Sequence, residues 1–483
     1  MISLRQLIDE IQKNDPQADT TLVETAYNFA NEAHAGQKRA SGEDYIQHCL
    51  LTAKTLAELR LPIPIIIAGL LHDVPEDTTR TLDEIRKIFG TDIAKMVEGI
   101  TKLGKIKYRG MDRYIENLRK MFVAMAQDIR VILIKFADRL HNLKTLYALP
   151  EAKQKRIALE TLEIYSPIAN RLGIGELQAQ LEDAAFKYAY PEEFINIEQV
   201  VKKNFPLKKK TLVNMIRKIK MRLEKDNIKF LDVYGRAKHY YSYYRKYLKY
   251  NCDPKQIYDL VAIRIIVENI ADCYTVMGAV HSIWRPIRGR IKDYIAQPKP
   301  NGYQSLHTAV FGDEQEIVEI QIRTKAMDEQ AEYGIAAHWN YKEGNKSTRE
   351  LAWVQDLANW LKNINDNDKF LEGAKIDVFQ NRIFVFTPQG DVIDLPDGAT
   401  PVDFAYHIHT DIGDKCSGAR INNEIVPLEY RIRNGDVVQI ITDKNRKGPN
   451  PDWLNFVKTR TAIQHIEAYK NKSWKKFLPI FSK

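Results

Sequence analysis

Cysteine is scarce in this chain of 483 residues: Cys49, Cys252, Cys273 and Cys416 stand far apart, and no C-x-x-C pair occurs. That spacing argues against a disulfide framework and a structural zinc, and it fits four packed thiols in a reducing compartment. Long apolar runs are missing as well. The longest, Ile63 to Leu71, is broken by Pro64 and Gly69 and falls far short of the roughly 18 residues that suggest a membrane span. Met1-Ile-Ser-Leu-Arg opens the chain without the charged and apolar regions of a signal peptide, so a cytoplasmic protein with no membrane partner is expected. Internal repeats and low-complexity tracts are absent, and the length suggests about three domains.

What is present is ordinary in amount and uneven in place. An apolar fraction of 44% with 28% charged residues describes a soluble protein. The net charge is +9, yet residues 200–299 alone hold 23 Lys plus Arg against 8 Asp plus Glu, so the remainder is net negative. Such a concentration points to a polyanion, either nucleotide phosphates or RNA, or else to a solvated helix face.

Residues 1 to about 190 read as helices, with Leu4, Leu7, Ile8 and Ile11 at helical spacing. The apolar run to Leu71 ends in His72-Asp73, and Glu76-Asp77 follow three residues on. Imidazole and carboxylate groups at the end of a buried helix must be paired or bound to a cation, because burying them bare costs roughly several kcal/mol each. Tyr45-Ile-Gln-His48, just ahead of a helical run, offers a second imidazole. Phe136-Ala-Asp138-Arg-Leu-His-Asn142-Leu-Lys-Thr145 offers a carboxylate, with Asp138, Asn142 and Thr145 on one helix face. The set His48, His72, Asp73 and Asp138 suits a divalent ion such as manganese, iron or zinc, leaving Glu76 and Asp77 to move protons or position water.

Together with Ser41-Gly-Glu-Asp-Tyr45, Thr101-Lys-Leu103 and Ala169-Asn-Arg-Leu-Gly173, this constellation resembles the HD-type hydrolase domain of the RelA/SpoT homologues, which make and destroy the alarmone (p)ppGpp. The resemblance implies Mn2+ at this site, with Arg39, Asn142 and Thr145 holding the nucleotide. Pro75, Ala40, Cys49 and Asp328 depart from the family pattern, and Pro75 removes an N–H and fixes φ within the His-Asp to Glu-Asp segment.

From about Val200 to Tyr250 the chain reads as basic and helical. A strand is expected from Asp259 to Val267, then a helix from about Cys273 to Trp284. Between Glu316 and Arg323 the residues alternate, Glu319, Gln321 and Arg323 on one face and Ile320 and Ile322 on the other. A wholly polar strand face beside the cationic loop Arg288–His307 looks like a phosphate site. These residues resemble the family's nucleotidyltransferase-like synthetase domain, in which ATP donates pyrophosphate to the 3′-hydroxyl of GDP or GTP. The resemblance implies that Asp259 binds Mg2+ and that Glu319 is a second metal ligand or the general base. Tyr303 would stack on the acceptor guanine and Arg236 on the donor adenine, with Lys238, Ser242, Arg264, Lys292, Lys299, Gln304 and His307 along the phosphates. The basic form of Arg290-Ile-Lys292-Asp293 matches bifunctional members, and the segment Ala331–Trp339 reads as a further helix of the family type.

Beyond a polar helical connector, Phe384–Gly398 reads as a hairpin, Thr400–Thr410 as a capped helix and Asn434–Ile441 as a turn and strand. This part resembles a TGS domain, implying contact with the tRNA acceptor end on the ribosome. The expected architecture is multidomain α+β. It comprises an all-α HD-type hydrolase domain (1–195), an α/β nucleotidyltransferase-like synthetase domain (196–341), a helical connector (342–375), a small β-grasp TGS domain (376–443) and a helical tail (444–483). The expected function is a bifunctional alarmone enzyme, with ATP, GDP or GTP, and (p)ppGpp as substrates. Opposed activities in one chain waste ATP unless they exclude one another, so a coupling between the two sites is expected.

Overall fold

The computed structural model describes residues 2–104, 111–237, 239–249, 261–299, 301–312, 316–341, 382–389, 392–433 and 435–477. The chain divides into two compact units, Met1–Asn363 and Ile364–Lys483. No helix among the described residues is long and apolar enough to cross a membrane.

Unit one begins with helices: α1 (Leu4–Asn14), α2 (Thr21–Ala33), α3 (Tyr45–Glu58), α4 (Ile63–Leu71), α5 (Val74–Asp77), α6 (Leu82–Phe89), α7 (Thr91–Gly104), α8 (Met111–Gln127), α9 (Ile129–Lys144), α10 (Glu151–Glu160), α11 (Ser166–Arg171) and α12 (Gly175–Ala189). A π-helical turn, Thr161–Tyr165, joins α10 to α11. Helix α4 is apolar all round and buried from Ile65 onward, so it forms the middle of the bundle, packed by α2, α3, α7 and α9. It ends at His72. Helix α5 starts at once, with Asp73 at its N-cap and Pro75 in its first turn. An N–H there has no acceptor within the helix, so the proline costs no hydrogen bond. His48 does not precede α3 as expected but lies inside its first turn, because the helix already opens at Tyr45.

The second part of unit one runs α13 (Pro191–Lys225), β1 (Asp232–Ala237), α14 (Tyr240–Lys249), β2 (Val261–Val267), α15 (Ile270–Ile283), β3 (Lys292–Asp293), β4 (Leu306–Phe311), β5 (Ile317–Thr324) and α16 (Lys325–Tyr333). The sheet order is β1-β2-β5-β4-β3, parallel only between β2 and β5. Helices α13 and α15 cover one face, where Val318, Ile320 and Ile322 of β5 are buried with Leu212, Met215 and Ile219 of α13. Lys210, Arg217 and Lys225 of α13 are exposed, so this stretch of the basic excess is a solvated helix face.

Three segments depart from expectation. Residues 232–237, read as helical, form β1, paired antiparallel to β2 from Asp232↔Ile266 to Ala237↔Val261. Gly235 weakens any helix there, and ladder pairing overrides the amphipathic period. Helix α15 starts three residues before Cys273, because the Asn269 side chain caps it by accepting from Asp272 N–H at 2.9 Å. The helix read from Ala331 to Trp339 is cut at Gly334, which adopts φ +54° and gives way to a 3-10 turn, Gly334–Tyr341.

Gly334 also marks where the helical part meets the sheet part. A Cβ on it would lie 2.4 Å from Gly173 C and Leu172 O, so only glycine admits this backbone crossing. Ile335 N–H donates to Leu172 O (3.0 Å), and Asn301 Nδ2 donates to Asn170 O (3.0 Å). The Arg60 guanidinium lies 4.6 Å from the centre of the Tyr333 ring and 3.3 Å from Glu329.

Unit two holds the β6 (Arg382–Phe386) and β7 (Val392–Pro396) hairpin, then β8 (Cys416–Ile421), β9 (Glu424–Val426) and β10 (Val438–Thr442) in the order β10-β8-β9. Phe386 N–H donates to Asp436 O (2.8 Å) and a parallel bridge joins Phe386 to Val437, linking hairpin and sheet. The helix Pro401–Ile408 is fixed by the fully buried Asp403. Its Oδ2 accepts from Thr400 N–H and Oγ1, both at 2.8 Å, while its Oδ1 accepts from Lys458 and Thr459 N–H at 2.8 and 2.6 Å. A helix follows at Arg460–Phe477. The expected connector lies outside the described residues apart from its approach at 341.

Candidate metal centre and nucleotide-binding face

Four donors from three regions of sequence converge at the end of α4. His48 Nε2 lies 3.2 Å from His72 Nε2, 3.3 Å from Asp73 Oδ2 and 3.3 Å from Asp138 Oδ1. His72 Nε2 lies 3.2 Å from Asp73 Oδ2 and 3.9 Å from Asp138 Oδ1. Both imidazoles and Asp138 are buried. Atoms bound to one cation at about 2.0–2.2 Å stand about 3–3.6 Å apart, so this spacing suits a shared ion. The tautomers fit as well. His72 Nδ1 is 2.8 Å from Gly69 O, which can only accept, so Nδ1 carries a proton and Nε2 is the atom left for a cation that displaces the proton there.

The electrostatics call for positive charge at this point. Burial opposes a charged His72, yet Asp73 and Asp138 outweigh it and hold the imidazole up at about 9. Burial likewise opposes the Asp73 and Asp138 carboxylates. His72 and His48 keep Asp73 well below the usual range, and Lys135 with His48 does so for Asp138. A divalent cation answers that demand, and the mixed nitrogen and oxygen donor set suits one.

Around the donors lies a supporting layer that the sequence reading did not single out. Lys135 Nζ donates to Asp138 Oδ2 at 2.7 Å, turning Oδ1 toward the imidazoles. His48 Nδ1 meets His141 Nδ1 at 2.6 Å; burial, with His48 and Arg39 nearby, pushes His141 down to about 3 and keeps it neutral. Tyr45 OH reaches Asp73 Oδ2 (2.9 Å) and Asp77 Oδ2 (2.6 Å), and its ring stacks on His34 at 4.4 Å. The available signal was spacing: His141 stands three residues from Asp138 and Tyr45 three from His48, each on the same helix face.

The expected nucleotide contacts sit at the rim. Asn142 Nδ2 donates to Asp138 Oδ1 and Arg39 donates to Asn142 Oδ1, each at 2.5 Å, which places the guanidinium beside the donors. Thr145 caps α9, and its hydroxyl lies 3.4 Å from the His141 and Asn142 carbonyls. Glu76 and Asp77 are exposed on α5.

The second constellation lies on the sheet face opposite α13 and α15. Arg323 donates to Tyr303 OH (3.2 Å), the hydroxyl lies 2.8 Å from His307 Nε2, and His307 Nδ1 lies 3.1 Å from Glu319 Oε1. Burial lowers the His307 pKa, so the neutral ring accepts from Tyr303 and donates to Glu319. Burial also opposes the charge on Glu319, but the bond from His307 holds its carboxyl below the usual range. Gln321 adds a 2.9 Å bond to Glu319. Lys299 Nζ lies 4.7 Å from the centres of both the Tyr294 and the Tyr303 ring. Lys292 pairs with His307 across β3 and β4, Gln304 Nε2 donates to Ile295 O (3.2 Å), and Ser242 is half-buried on α14. Asp259 and Lys238 lie outside the described residues.

Two arginines of the expected nucleotide site, Arg264 for the phosphates and Arg236 for the donor adenine, are paired with carboxylates. Arg264, 4% exposed, donates to Glu332 (2.6 Å) and Asp328 (3.2 Å). Arg236 meets Glu332 (3.2 Å) and Glu176 of α12 (3.5 Å).

Comparison with known proteins finds three family regions along the chain. Residues 26–175 match the HD domain model, residues 235–346 the region found in RelA / SpoT proteins, and residues 383–442 the TGS domain. A GTP pyrophosphokinase of Myxococcus xanthus is 46% identical over 467 residues, covering 95% of this chain and 61% of that protein. A guanosine-3′,5′-bis(diphosphate) 3′-pyrophosphohydrolase of Aquifex aeolicus is 45% identical over 478 residues, covering 98% and 67%. The bifunctional (p)ppGpp synthase/hydrolase SpoT of Escherichia coli is 46% identical over 473 residues, covering 96% and 67%. The chain thus spans 61–67% of the length of these relatives. With all three family regions in order and near-complete coverage at such identity, the chain belongs to the RelA/SpoT family.

Proposed function

We propose that the chain both degrades and makes (p)ppGpp in the cytoplasm. The helical site removes pyrophosphate from the 3′ position, and the sheet site transfers pyrophosphate from ATP to the 3′-hydroxyl of GDP or GTP, releasing AMP. The observation that carries the degradative half is the meeting of His48, His72, Asp73 and Asp138 within 3.2–3.9 Å at the pairs given above. These four would hold a divalent ion, with Mn2+ as our assignment, which when bound lowers the pKa of a water and polarises the phosphoryl oxygen. Arg39, Asn142 and Thr145 orient the nucleotide at the rim, and the exposed carboxylates Glu76 and Asp77 take up the proton of the attacking water.

In the synthetic half, Glu319 accepts the proton of the 3′-hydroxyl, or joins Asp259 in holding Mg2+. The charged carboxyl of Glu319 supports either role. Tyr303 stacks on the acceptor base. Arg236, Lys238, Ser242, Arg264, Lys292, Lys299, Gln304 and His307 line the donor and the phosphates, where neutralisation and alignment carry most of the catalysis. The TGS region contacts the tRNA acceptor end on the ribosome.

Assay of both directions on the wild type, His72→Ala and Asp259→Ala tests this reading. Each substitution silences one direction and spares the other. Loss of both directions in either variant, or of neither, overturns it.

A further inference from the structure

The imidazole of His48 has to offer Nε2 as a lone pair if it is to bind a cation, because Nε2 is the atom that faces His72, Asp73 and Asp138. Its proton then belongs on Nδ1. For His72 the same requirement is met by a backbone carbonyl, an acceptor that cannot reverse its role. For His48 the partner is a second imidazole, His141 Nδ1 at 2.6 Å, and an imidazole nitrogen can be donor or acceptor. Two nitrogens at that separation cannot both carry protons, and two bare lone pairs would repel. One donates to the other, so the tautomer of His141 sets the tautomer of His48.

His141 is well placed for that task. It lies on α9 one turn beyond Asp138, is 3% exposed, and has its ring centre 4.9 Å from that of His48 at an angle of 36°.

We propose that His141 is a positioning residue for the cation site. Carrying its proton on Nε2, it accepts from His48 Nδ1–H and thereby turns the His48 Nε2 lone pair into the cluster. The inference rests on the reading of His48, His72, Asp73 and Asp138 as a cation site. An imidazole with an acceptor behind it is both oriented and more basic, and loss of such outer partners commonly costs about 10–100-fold in metal affinity.

The test is Mn2+ binding, followed by calorimetry and by the spin-resonance signal of free Mn2+, on the full chain with no nucleotide present. His141→Phe keeps the ring and removes the acceptor, so Mn2+ affinity is expected to fall by about 10–100-fold. His141→Asn places its amide oxygen where Nδ1 stood and is expected to bind within about threefold of the wild type. Equal affinity in wild type and His141→Phe overturns the inference, as does tighter binding in His141→Phe or an equal loss in both variants, which would make the residue a packing element only.

If His141→Phe fails to fold, nitrogen-15 spectra of the Zn2+-loaded wild type decide instead. A protonated His48 Nδ1 coupled to an unprotonated His141 Nδ1 is the expected result, and an unprotonated His48 Nδ1 refutes it. The reading of the site is checked separately by His72→Ala. A wild type that takes up no more Mn2+ than this variant brings down the cation site itself, whereas a wild type that binds Mn2+ and ignores His141 brings down only the inference.

Discussion

The two candidate sites within unit one gather charge in opposite senses. At the end of α4 the protein assembles lone pairs and carboxylates, offset by Lys135, at 2.7 Å from Asp138, and by Arg39 at the rim. On the sheet face it assembles Arg236, Arg264 and Arg323 and then answers them with Glu176, Asp328 and Glu332. The first arrangement waits for a cation. The second already has counter-ions, so under the proposed function an incoming polyphosphate competes with protein carboxylates for Arg236 and Arg264. One of these, Glu176, belongs to α12, which packs on α9 and α10 of the helical part. A site satisfied by its own protein can thus be held back by a neighbour.

That contrast can be broken most severely by removing the centre of either site. His72→Ala is expected to reduce (p)ppGpp hydrolysis on the order of a thousandfold, equivalent to about 4 kcal/mol of barrier, with AMP formation in the synthetic assay unchanged. Glu319→Ala should do the reverse. The seam between the sites comes next. Saturating the helical site with a nucleotide that is not turned over should change the affinity of the sheet site about tenfold, and Gly334→Ala should abolish that dependence. An affinity indifferent to occupancy of the other site would remove the coupling.

Smaller effects sharpen the comparison. Arg39→Ala should raise KM for hydrolysis about tenfold, the loss of a charge-assisted bond of about 1.4 kcal/mol, with a smaller change in kcat. Glu176→Gln releases Arg236 from a half-exposed pair, and synthesis at low ATP should rise about threefold, since such pairs contribute about 0–1 kcal/mol. The smallest change is expected of Pro75→Ala. Denaturant titration should show about 0.4–1 kcal/mol less stability, from greater freedom of the unfolded chain, with hydrolysis unaffected.

Much of the helical site could be read from spacing. His72-Asp73 closes an apolar run, and Asp138 and Asn142 share a helix face, so the donor set was visible before any fold was known. His141 and Lys135 were not, because their value comes from what lies across the bundle: His48 from α3, and the second oxygen of Asp138. The alternation of Glu319, Gln321 and Arg323 located the polar sheet face. The partners of Arg236 and Arg264 were hidden, since Glu176 and Glu332 are 60 and 68 residues away from them respectively. Strand β1 was misread for the same reason: its helical period is local, and the β2 ladder that defeats it is not.

The crossing of Gly173 and Gly334 has a mechanical consequence. At this crossing the two parts meet backbone to backbone, with less clearance than one methyl group, and have no slack there to absorb a small shift. Tightly packed protein yields little under load. A sub-ångström movement at one end of such a joint must therefore appear at the other, and the loop bearing Asn301, two residues before Tyr303, is where it would arrive.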